Sequence, residues 1–213
     1  MSRTSRSLPQ VARAWAADSP TVLRWRRRRY ERFMEVCGVM PGDRILDVGA
    51  GWGAALERFN RTNPITAVDL APKASDWLAH DNVTVLTGDG TRLPFEDGEF
   101  EVAFSNSVIE HVPVELQPAF AAEIRRVAQR YFVQTPNRRF PIEPHYQFPF
   151  FQFLPERVRR ALNRRFTLGF QPRGEWEPIT LLNAGDLRRL FPDAVIHRER
   201  TLGLTKSLMA VRR

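Results

Sequence analysis

Cysteine is nearly absent from the sequence, with Cys37 the only one among 213 residues. No disulfide can therefore form within the chain, and we expect it to work in a reducing compartment. Apolar runs near the ~18 residues that suggest a membrane span are also absent, as are internal repeats and the apolar core of a secretory signal. With 43% hydrophobic and 26% charged residues, the composition is that of a globular protein. These features predict a cytoplasmic globular protein.

Acidic residues are scarce at both ends of the chain. Residues 1–40 carry a net charge of +6 and residues 136–213 carry +8, whereas residues 41–135 carry −6. Basic segments of this kind suit an anionic small molecule, an anionic membrane surface or nucleic acid. They are equally compatible with arginines on solvated helix faces, so the charge pattern alone identifies no partner.

Hydrophobic runs and helical periods alternate along most of the chain. The predicted strands lie at residues 44–48, 65–70, 83–86, 100–105, 131–134, 194–200 and 206–212. The predicted helices lie at residues 21–39, 52–60, 74–79, 116–128, 156–164 and 184–191. Strands that alternate with helices indicate an α/β fold, with a mostly parallel sheet covered on both faces. The last two strands should form a hairpin that adds one antiparallel strand, which makes seven strands in all.

The strongest motif follows the first predicted strand. It reads Asp47-Val48-Gly49-Ala50-Gly51-Trp52-Gly53, an acid followed by three alternating glycines. Gly49 and Gly51 permit a tight strand-to-helix turn and a close approach of the backbone to a ligand, because no Cβ intervenes. The Asp47 carboxylate can accept hydrogen bonds from a cationic ammonium group or from a water molecule near it.

Acidic residues also follow the next two strands. Asp69, before Leu70, ends the second strand, and Asp89 precedes Gly90 after the third strand. A carboxylate at the first position can accept both ribose hydroxyls of a nucleoside, and one at the second can accept from an adenine amino group. The carboxyl ends of parallel strands share one edge of the sheet, where open α/β sheets bind ligands. Ser105, at the end of the fourth strand, is expected to line the same pocket.

A nicotinamide-dependent dehydrogenase is the main alternative, since Gly49, Gly51 and Ala54 also satisfy the dinucleotide-binding fingerprint. Three observations disfavour it. The negative charge of Asp47 would lie badly beside a pyrophosphate at a helix N-terminus. Asp89 has no role in that fingerprint, and a closing hairpin is foreign to simple dinucleotide-binding domains.

Taken together, these motifs resemble the class I S-adenosylmethionine-dependent methyltransferases, and in particular the type 11 methyltransferase family, over roughly residues 40–135. The resemblance implies a Rossmann-like fold, an enzyme that transfers a methyl group, and S-adenosylmethionine as its cofactor. It also implies the cofactor-binding residues, which we predict to be Asp47, Gly49, Ala50, Gly51, Gly53, Asp69, Leu70, Asp89, Gly90 and Ser105.

Candidate catalytic residues follow the fourth and fifth strands. Glu110 and His111 come where a methyl acceptor would approach, and His145 lies in the segment after the fifth strand. A histidine at such a place can act as a general base; local packing of these side chains is the alternative. Some methyltransferases, the small-RNA 2′-O-methyltransferases among them, bind a divalent metal through a Glu-x-x-Glu-His pattern. Ser107 stands at the first glutamate position here, which leaves such a site incomplete. His145 is the alternative source of a further ligand, but we predict no metal.

The predicted organisation is a basic arm and helix over residues 1–40, followed by a methyltransferase domain over residues 41–213 with an insertion at about 136–180. In the methyltransferases that this sequence resembles, such an insertion lies on the side of the domain that binds the methyl acceptor. Its five phenylalanines up to residue 153 predict either an apolar lid or a second hydrophobic cluster. Arg138 and Arg139 can pair with a phosphate or a carboxylate of the acceptor.

The predicted function is methyl transfer to a small-molecule or lipid-linked acceptor. Oxygen is the expected methylated atom, because no Asn-Pro-Pro-Tyr-like motif for amino groups of bases follows the fourth strand. RNA methylation is an alternative, since Arg24–Tyr30 interleaves arginines with aromatic residues; a non-catalytic cofactor-binding protein is another. The same arginines, or those that follow the Phe-rich segment, can instead rest on the inner face of an anionic membrane, which we favour over RNA.

Overall fold

The computed structural model describes residues 20–51, 56–166, 169, 173–174, 176 and 178–213. The helices are α1 (Pro20–Val36), α2 (Leu56–Phe59), α3 (Gln117–Val127), α4 (Glu156–Arg165) and α5 (Ala184–Leu190). Single 3-10 turns occur at Ile109–His111 and Phe151–Phe153. Within these residues, no helix combines the length and the apolar character that a bilayer span requires.

The described residues form strands β1 (Ile45–Val48), β2 (Ile65–Asp69), β3 (Val83–Thr87), β4 (Phe100–Asn106), β5 (Ala128–Pro136), β6 (Ile142–Glu143), β7 (Phe148–Pro149), β8 (Val195–Thr201) and β9 (Leu204–Arg212). One seven-stranded sheet has the order β3-β2-β1-β4-β5-β9-β8, and β6 pairs with β7 in a separate sheet. Strands β1 to β5 pair in parallel, whereas β9 runs antiparallel to both β5 and β8. The predicted seven-stranded, mostly parallel α/β sheet with a closing antiparallel hairpin is confirmed.

The chain divides into two compact units. The main unit comprises Tyr30–Phe140 and Pro178–Arg213 and holds the seven-stranded sheet. The smaller unit comprises Met1–Arg29 and Pro141–Glu177, and its described residues include α4 and the β6-β7 sheet. The second segment of the smaller unit falls inside the insertion that the sequence predicts at about 136–180.

Apolar side chains on the two faces of the large sheet form two separate cores in the main unit. One face packs against α3 and α5 through residues that include Phe120 and Leu187. The other face packs against α1 and α2, where the ring centroid of the fully buried Phe33 lies 4.9 Å from that of Phe104 and 5.8 Å from that of Phe132. Covering both faces is what buries the apolar strands of a parallel sheet.

Three predicted helices differ from the structure or extend beyond its described residues. Residues 74–79 form turns instead of a helix, because six residues allow too few intrahelical hydrogen bonds to offset nucleation. The helix predicted at 21–39 ends at Val36, and Gly38 closes its last turn with a φ of +55°. In the helix predicted at 52–60, residues 52–55 lie outside the described residues and Leu56–Phe59 is helical.

Candidate active site

The loop after β1 contains a position that suits only glycine. Gly49 has a φ of +84°, and a Cβ there would lie 2.3 Å from Val108 Cγ2. The Gly49 amide donates to the carbonyl oxygen of Val68 at 2.7 Å, and the Ala50 amide donates to the same oxygen at 3.3 Å. Gly51 follows with a φ of +56°. These contacts fix the loop against the end of β2 and place the backbone of Gly49 and Gly51 at the carboxyl edge of the sheet.

Asp69, at the end of β2, joins two loops. Its Oδ2 accepts a hydrogen bond from the Gly51 amide at 2.9 Å, and its Oδ1 accepts one from the Ala71 amide at 2.9 Å. A carboxylate has about four acceptor sites, so the same group retains capacity for ligand hydroxyls. Leu70 beside it is 72% exposed. Gly53, another predicted cofactor residue, lies outside the described residues.

The Asp89-Gly90 pair follows β3. Asp89 Oδ1 accepts hydrogen bonds from the amide and the hydroxyl of Thr91, both at 2.8 Å, which orients the carboxylate. A Cβ on Gly90 would lie 2.7 Å from the Phe120 ring and 2.9 Å from Val48 Cγ1. Packing against the sheet core therefore explains the glycine at residue 90, and its predicted contact with the cofactor stays a prediction.

Asp47, in the centre of the sheet edge, is only 3% exposed. It interacts with the carboxyl group of Glu57, a fully buried residue of α2. Burial is the main cause that raises the pKa of Asp47 well above its usual range, followed by the charge and hydrogen bonding of Glu57 and the charge of Asp69. Burial also raises the pKa of Glu57. The sequence analysis missed Glu57, because an isolated glutamate in a short helix carries no signal that distinguishes it from a solvated one.

Ser105 and Glu110 are both fully buried in the main unit. The Oε2 atom of Glu110 accepts a hydrogen bond from Thr135 Oγ1 at 2.9 Å, and the backbone oxygen of Glu110 accepts one from the Thr180 amide at 2.8 Å. Glu110 thus anchors the 3-10 turn to β5 and to the segment before α5. His111, the next residue on this turn, is half-buried.

Ser107 stands where the metal-binding pattern has its first glutamate. Its Oγ donates to Gln134 Oε1 at 3.0 Å, and its backbone has a φ of 57°. The position is therefore filled by a short side chain that is hydrogen-bonded to β5.

His145 belongs to the smaller unit. Its Nδ1 lies 2.7 Å from Glu143 Oε1, and the other oxygen of Glu143 accepts from the Tyr146 amide at 2.5 Å. The Glu143 side chain is 4% exposed and the His145 side chain 18%. A carboxylate against Nδ1 favours the tautomer with the proton on that nitrogen, which places the lone pair on Nε2.

Of the phenylalanines in the same segment, Phe151 is fully buried, with its ring centroid 4.2 Å from that of Tyr146. The other three that follow residue 147 are exposed, namely Phe148, Phe150 and Phe153. The segment therefore combines a small aromatic cluster with apolar side chains that face solvent. Neither predicted role, the lid or the cluster, accounts for all of them.

The residues of the main unit fit a cationic nucleoside. Three carboxylates lie at or just after the carboxyl ends of neighbouring parallel strands, and the Gly49 loop between the first two packs closely against Val108. Carboxylates in this arrangement can accept from hydroxyl, amino and ammonium groups. They repel a pyrophosphate, which disfavours a dinucleotide.

Comparison with known proteins agrees with this geometry. Residues 46–131 match the family model described as a methyltransferase domain. The malonyl-[acyl-carrier protein] O-methyltransferase of Geobacter sulfurreducens is 38% identical over 124 residues, which cover 53% of this chain and 45% of that protein. The demethylmenaquinone methyltransferase of Corynebacterium efficiens is 32% identical over 36% of this chain and 32% of that protein. The match thus spans less than half the length of either relative.

A solved structure of an S-adenosylmethionine-dependent methyltransferase from Aquifex aeolicus superimposes with a TM-score of 0.55 at 17% identity. The superposition covers 97% of this chain and 98% of that one, so the shared fold extends beyond the family match. The partial family match and the superposition agree with the predicted resemblance to class I methyltransferases and confirm the predicted fold; methyl transfer and S-adenosylmethionine as the cofactor stay predictions.

Replacing Gly49 with alanine should distort the loop after β1. The matched control is Gly42→Ala, because Gly42 has a similar φ of +89° but a Cβ added there would meet nothing within 4 Å. Both variants strain the backbone, whereas only Gly49→Ala also overpacks Val108, so we expect it to lose about 1–3 kcal/mol more in the free energy of unfolding. Urea denaturation measures the difference. Adding Val108→Ala should recover part of the loss, and equal losses for the two glycine variants would contradict the steric explanation.

Proposed function

We propose that this protein transfers a methyl group from S-adenosylmethionine to an oxygen atom of a small-molecule or lipid-linked acceptor. The observation that carries the proposal is the row of carboxylates near the carboxyl ends of β1, β2 and β3, beside a glycine-rich loop. Asp47, Asp69 and Asp89 supply acceptors for a cation, a ribose and an amino group respectively.

Each carboxylate has a defined part in holding the cofactor. Asp69 would bind the ribose hydroxyls, while its bonds to the Gly51 and Ala71 amides keep the two flanking loops in place. Asp89, oriented by Thr91, would accept from the adenine amino group. The cofactor, when bound, supplies a sulfonium methyl group with its own leaving group. The protein then contributes alignment, exclusion of water and a base.

The proposal for the acceptor rests on the relatives and on the charges near the sheet edge. One relative is named for malonyl-[acyl-carrier protein] and another for demethylmenaquinone, which supports a carrier-linked or lipid-like acceptor for this chain. Arg138 and Arg139 follow β5 with exposed side chains and would pair with an anionic group of that acceptor.

Two histidines are the proposed sources of the base. His111 is presented by a turn that Glu110 anchors through Thr135 and Thr180, so Glu110 acts as a positioning residue and not as the proton acceptor. His145 is held by Glu143 in the tautomer with a lone pair on Nε2. A hydroxyl acceptor becomes a stronger nucleophile as such a nitrogen takes its proton.

Asp69→Ala should weaken cofactor binding at least tenfold, a loss of about 1.4 kcal/mol, because it removes a charged acceptor from two hydroxyls and releases the Gly51 loop. Isothermal calorimetry with S-adenosylmethionine and, separately, with NAD measures this. The control is Asp97→Ala, whose carboxylate is 83% exposed. Wild-type protein that binds NAD and not S-adenosylmethionine would overturn the proposed function.

The variants His111→Ala and His145→Ala test which histidine acts as the base. Turnover of each variant is measured with methyl-labelled S-adenosylmethionine, and the acceptor is supplied as an extract of metabolites and lipids from cells that lack the protein. The residue that acts as base should lower turnover by about 10²–10⁴-fold, with the cofactor dissociation constant unchanged. His197→Ala, on β8, is the control. Mass spectrometry of the labelled product identifies the acceptor, and full turnover in both variants would remove the histidines from the mechanism.

We also propose that the smaller unit touches an anionic membrane surface. Its exposed apolar side chains include Phe150 at 58%, Phe153 at 54% and Phe166 at 52%. The helix between them, α4, carries one glutamate and five arginines. Exposed aromatic residues next to a basic helix are the features of a protein segment that lies in a lipid interface.

The double variant Phe150→Ser/Phe153→Ser should reduce binding to vesicles that contain phosphatidylglycerol by about tenfold or more, because each phenylalanine buried in lipid contributes ~1.5–3 kcal/mol. Co-sedimentation measures the bound fraction. Leu202→Ser is the control, since Leu202 is 97% exposed on the β8-β9 hairpin of the main unit. Unchanged binding in the double variant would contradict the membrane proposal, as would preferential binding to RNA with a steep dependence on salt.

A further inference from the structure

Asp47 and Glu57 form a pair of acids inside the main unit that the proposed function does not yet explain. Asp47 lies on β1 and is 3% exposed, while Glu57 lies on α2 and is 0% exposed. A single carboxylate at the end of β1 would suffice to accept from an ammonium group. Burying the second carboxylate, which is fully removed from water, raises the free energy of the folded state unless the carboxylate has a compensating partner.

The described part of the chain supplies no hydrogen-bond donor to the Glu57 carboxylate, since neither Oε1 nor Oε2 has one there. The nearest interacting group is the Asp47 carboxyl, which can donate only if one member of the pair is protonated. Two buried carboxyl groups that interact in this way can satisfy each other when one of them is protonated.

The charges that surround the pair reinforce this arrangement. Asp69, from β2, adds a further negative charge to the environment of Asp47. Arg61 lies close to Glu57, but it donates to the backbone carbonyl oxygen and not to the carboxylate. Among the described residues, no basic side chain appears among the groups that shift the pKa of Asp47 or of Glu57. The charged groups that raise the pKa of Asp47 are thus themselves acidic, which favours the protonated form of the pair.

We propose that Glu57 and Asp47 together form the recognition site for the cationic methionyl end of the cofactor, and that binding of this cation drives the shared proton out into the solvent. The inference rests on the proposed function, and it makes Glu57 a positioning and affinity-determining residue. The balance is simple: the singly protonated pair and the cofactor cation combine to give the doubly ionised pair with its bound cation, and one proton enters the buffer.

The immediate consequence is that cofactor affinity depends on pH. Where the empty pair is protonated and the occupied pair is not, each rise of one pH unit should strengthen binding of S-adenosylmethionine by up to tenfold. Adenosine carries no cationic group, so its affinity should not change with pH in the same range. S-adenosylhomocysteine retains the ammonium group and should behave like S-adenosylmethionine if the ammonium is the cation that is recognised.

Calorimetry in phosphate and in Tris buffer, which differ in heat of ionisation, counts the protons released between pH 6 and 9. Wild-type protein should release up to one proton with S-adenosylmethionine and none with adenosine. Glu57→Gln should reduce the release and weaken the pH dependence of affinity, because glutamine can donate to Asp47 without a shared proton, while the burial of Asp47 stays the same. Glu96→Gln is the control, since Glu96 is exposed on a loop; it should behave like the wild type.

A second readout needs no ligand. Because the pKa of Asp47 is raised in the folded protein, the pair favours the folded state when protonated, and this stability is lost as pH rises through the folded pKa. As pH rises above the ordinary titration range of a carboxyl group, the Tm of the unliganded wild type should therefore fall more steeply than that of Glu57→Gln, and the two curves should run together at lower pH. Parallel Tm curves, or S-adenosylmethionine binding without proton release, overturn the inference and leave the proposed function intact. Failure of the wild type to bind S-adenosylmethionine at all overturns the proposed function, while the Tm comparison still decides whether the pair shares a proton.

Discussion

The carboxylate of Asp69 is the interaction on which the candidate site depends. One oxygen holds the Gly51 amide of the loop after β1, and the other holds the Ala71 amide of the loop after β2. Two neighbouring strands of a parallel sheet have no covalent connection at their carboxyl ends, so the loops that leave them need a bond across the edge. The same group that provides this bond has acceptor capacity left for ligand hydroxyls. The carboxylate that holds the two loops together is therefore also the group that is available to a ligand.

The net charge is distributed unevenly along the chain. The segment that contributes most of the sheet edge, residues 41–135, carries a net charge of −6, while the flanking segments are strongly basic. An acidic segment favours cationic partners, and basic segments favour anionic ones. In the proposed function the cofactor is a cation and the acceptor carries an anionic group, so the opposite charges of these segments suit the two ligands.

Sequence reasoning predicted the sheet and the places of Asp47, Asp69 and Asp89 near its carboxyl edge, because strands with buried β-branched residues and glycine-rich turns follow from local chemistry. It failed where a property depends on tertiary packing. The burial of Glu57 against Asp47 arises only when α2 packs on β1, and no local pattern encodes it. Gly90 was predicted from its neighbour Asp89, yet its lack of a side chain is required by the Phe120 ring. Residues 74–79 have helix-forming composition but too short a run to offset the cost of nucleation.

The chain leaves the main unit after Phe140 and returns at Pro178, and these two crossings lie close together. Asn137 forms a β-bridge with Leu182, and the Arg138 amide donates to the Leu182 carbonyl oxygen at 2.9 Å. Hydrogen bonds already hold the two ends of this segment together. The segment can therefore change in length or composition with little loss of stability in the sheet, since doubling the length of a loop adds only about 0.6 kcal/mol to the free energy of closing it. The segment between Phe140 and Pro178 can therefore vary while the seven-stranded sheet and its carboxyl edge stay unchanged.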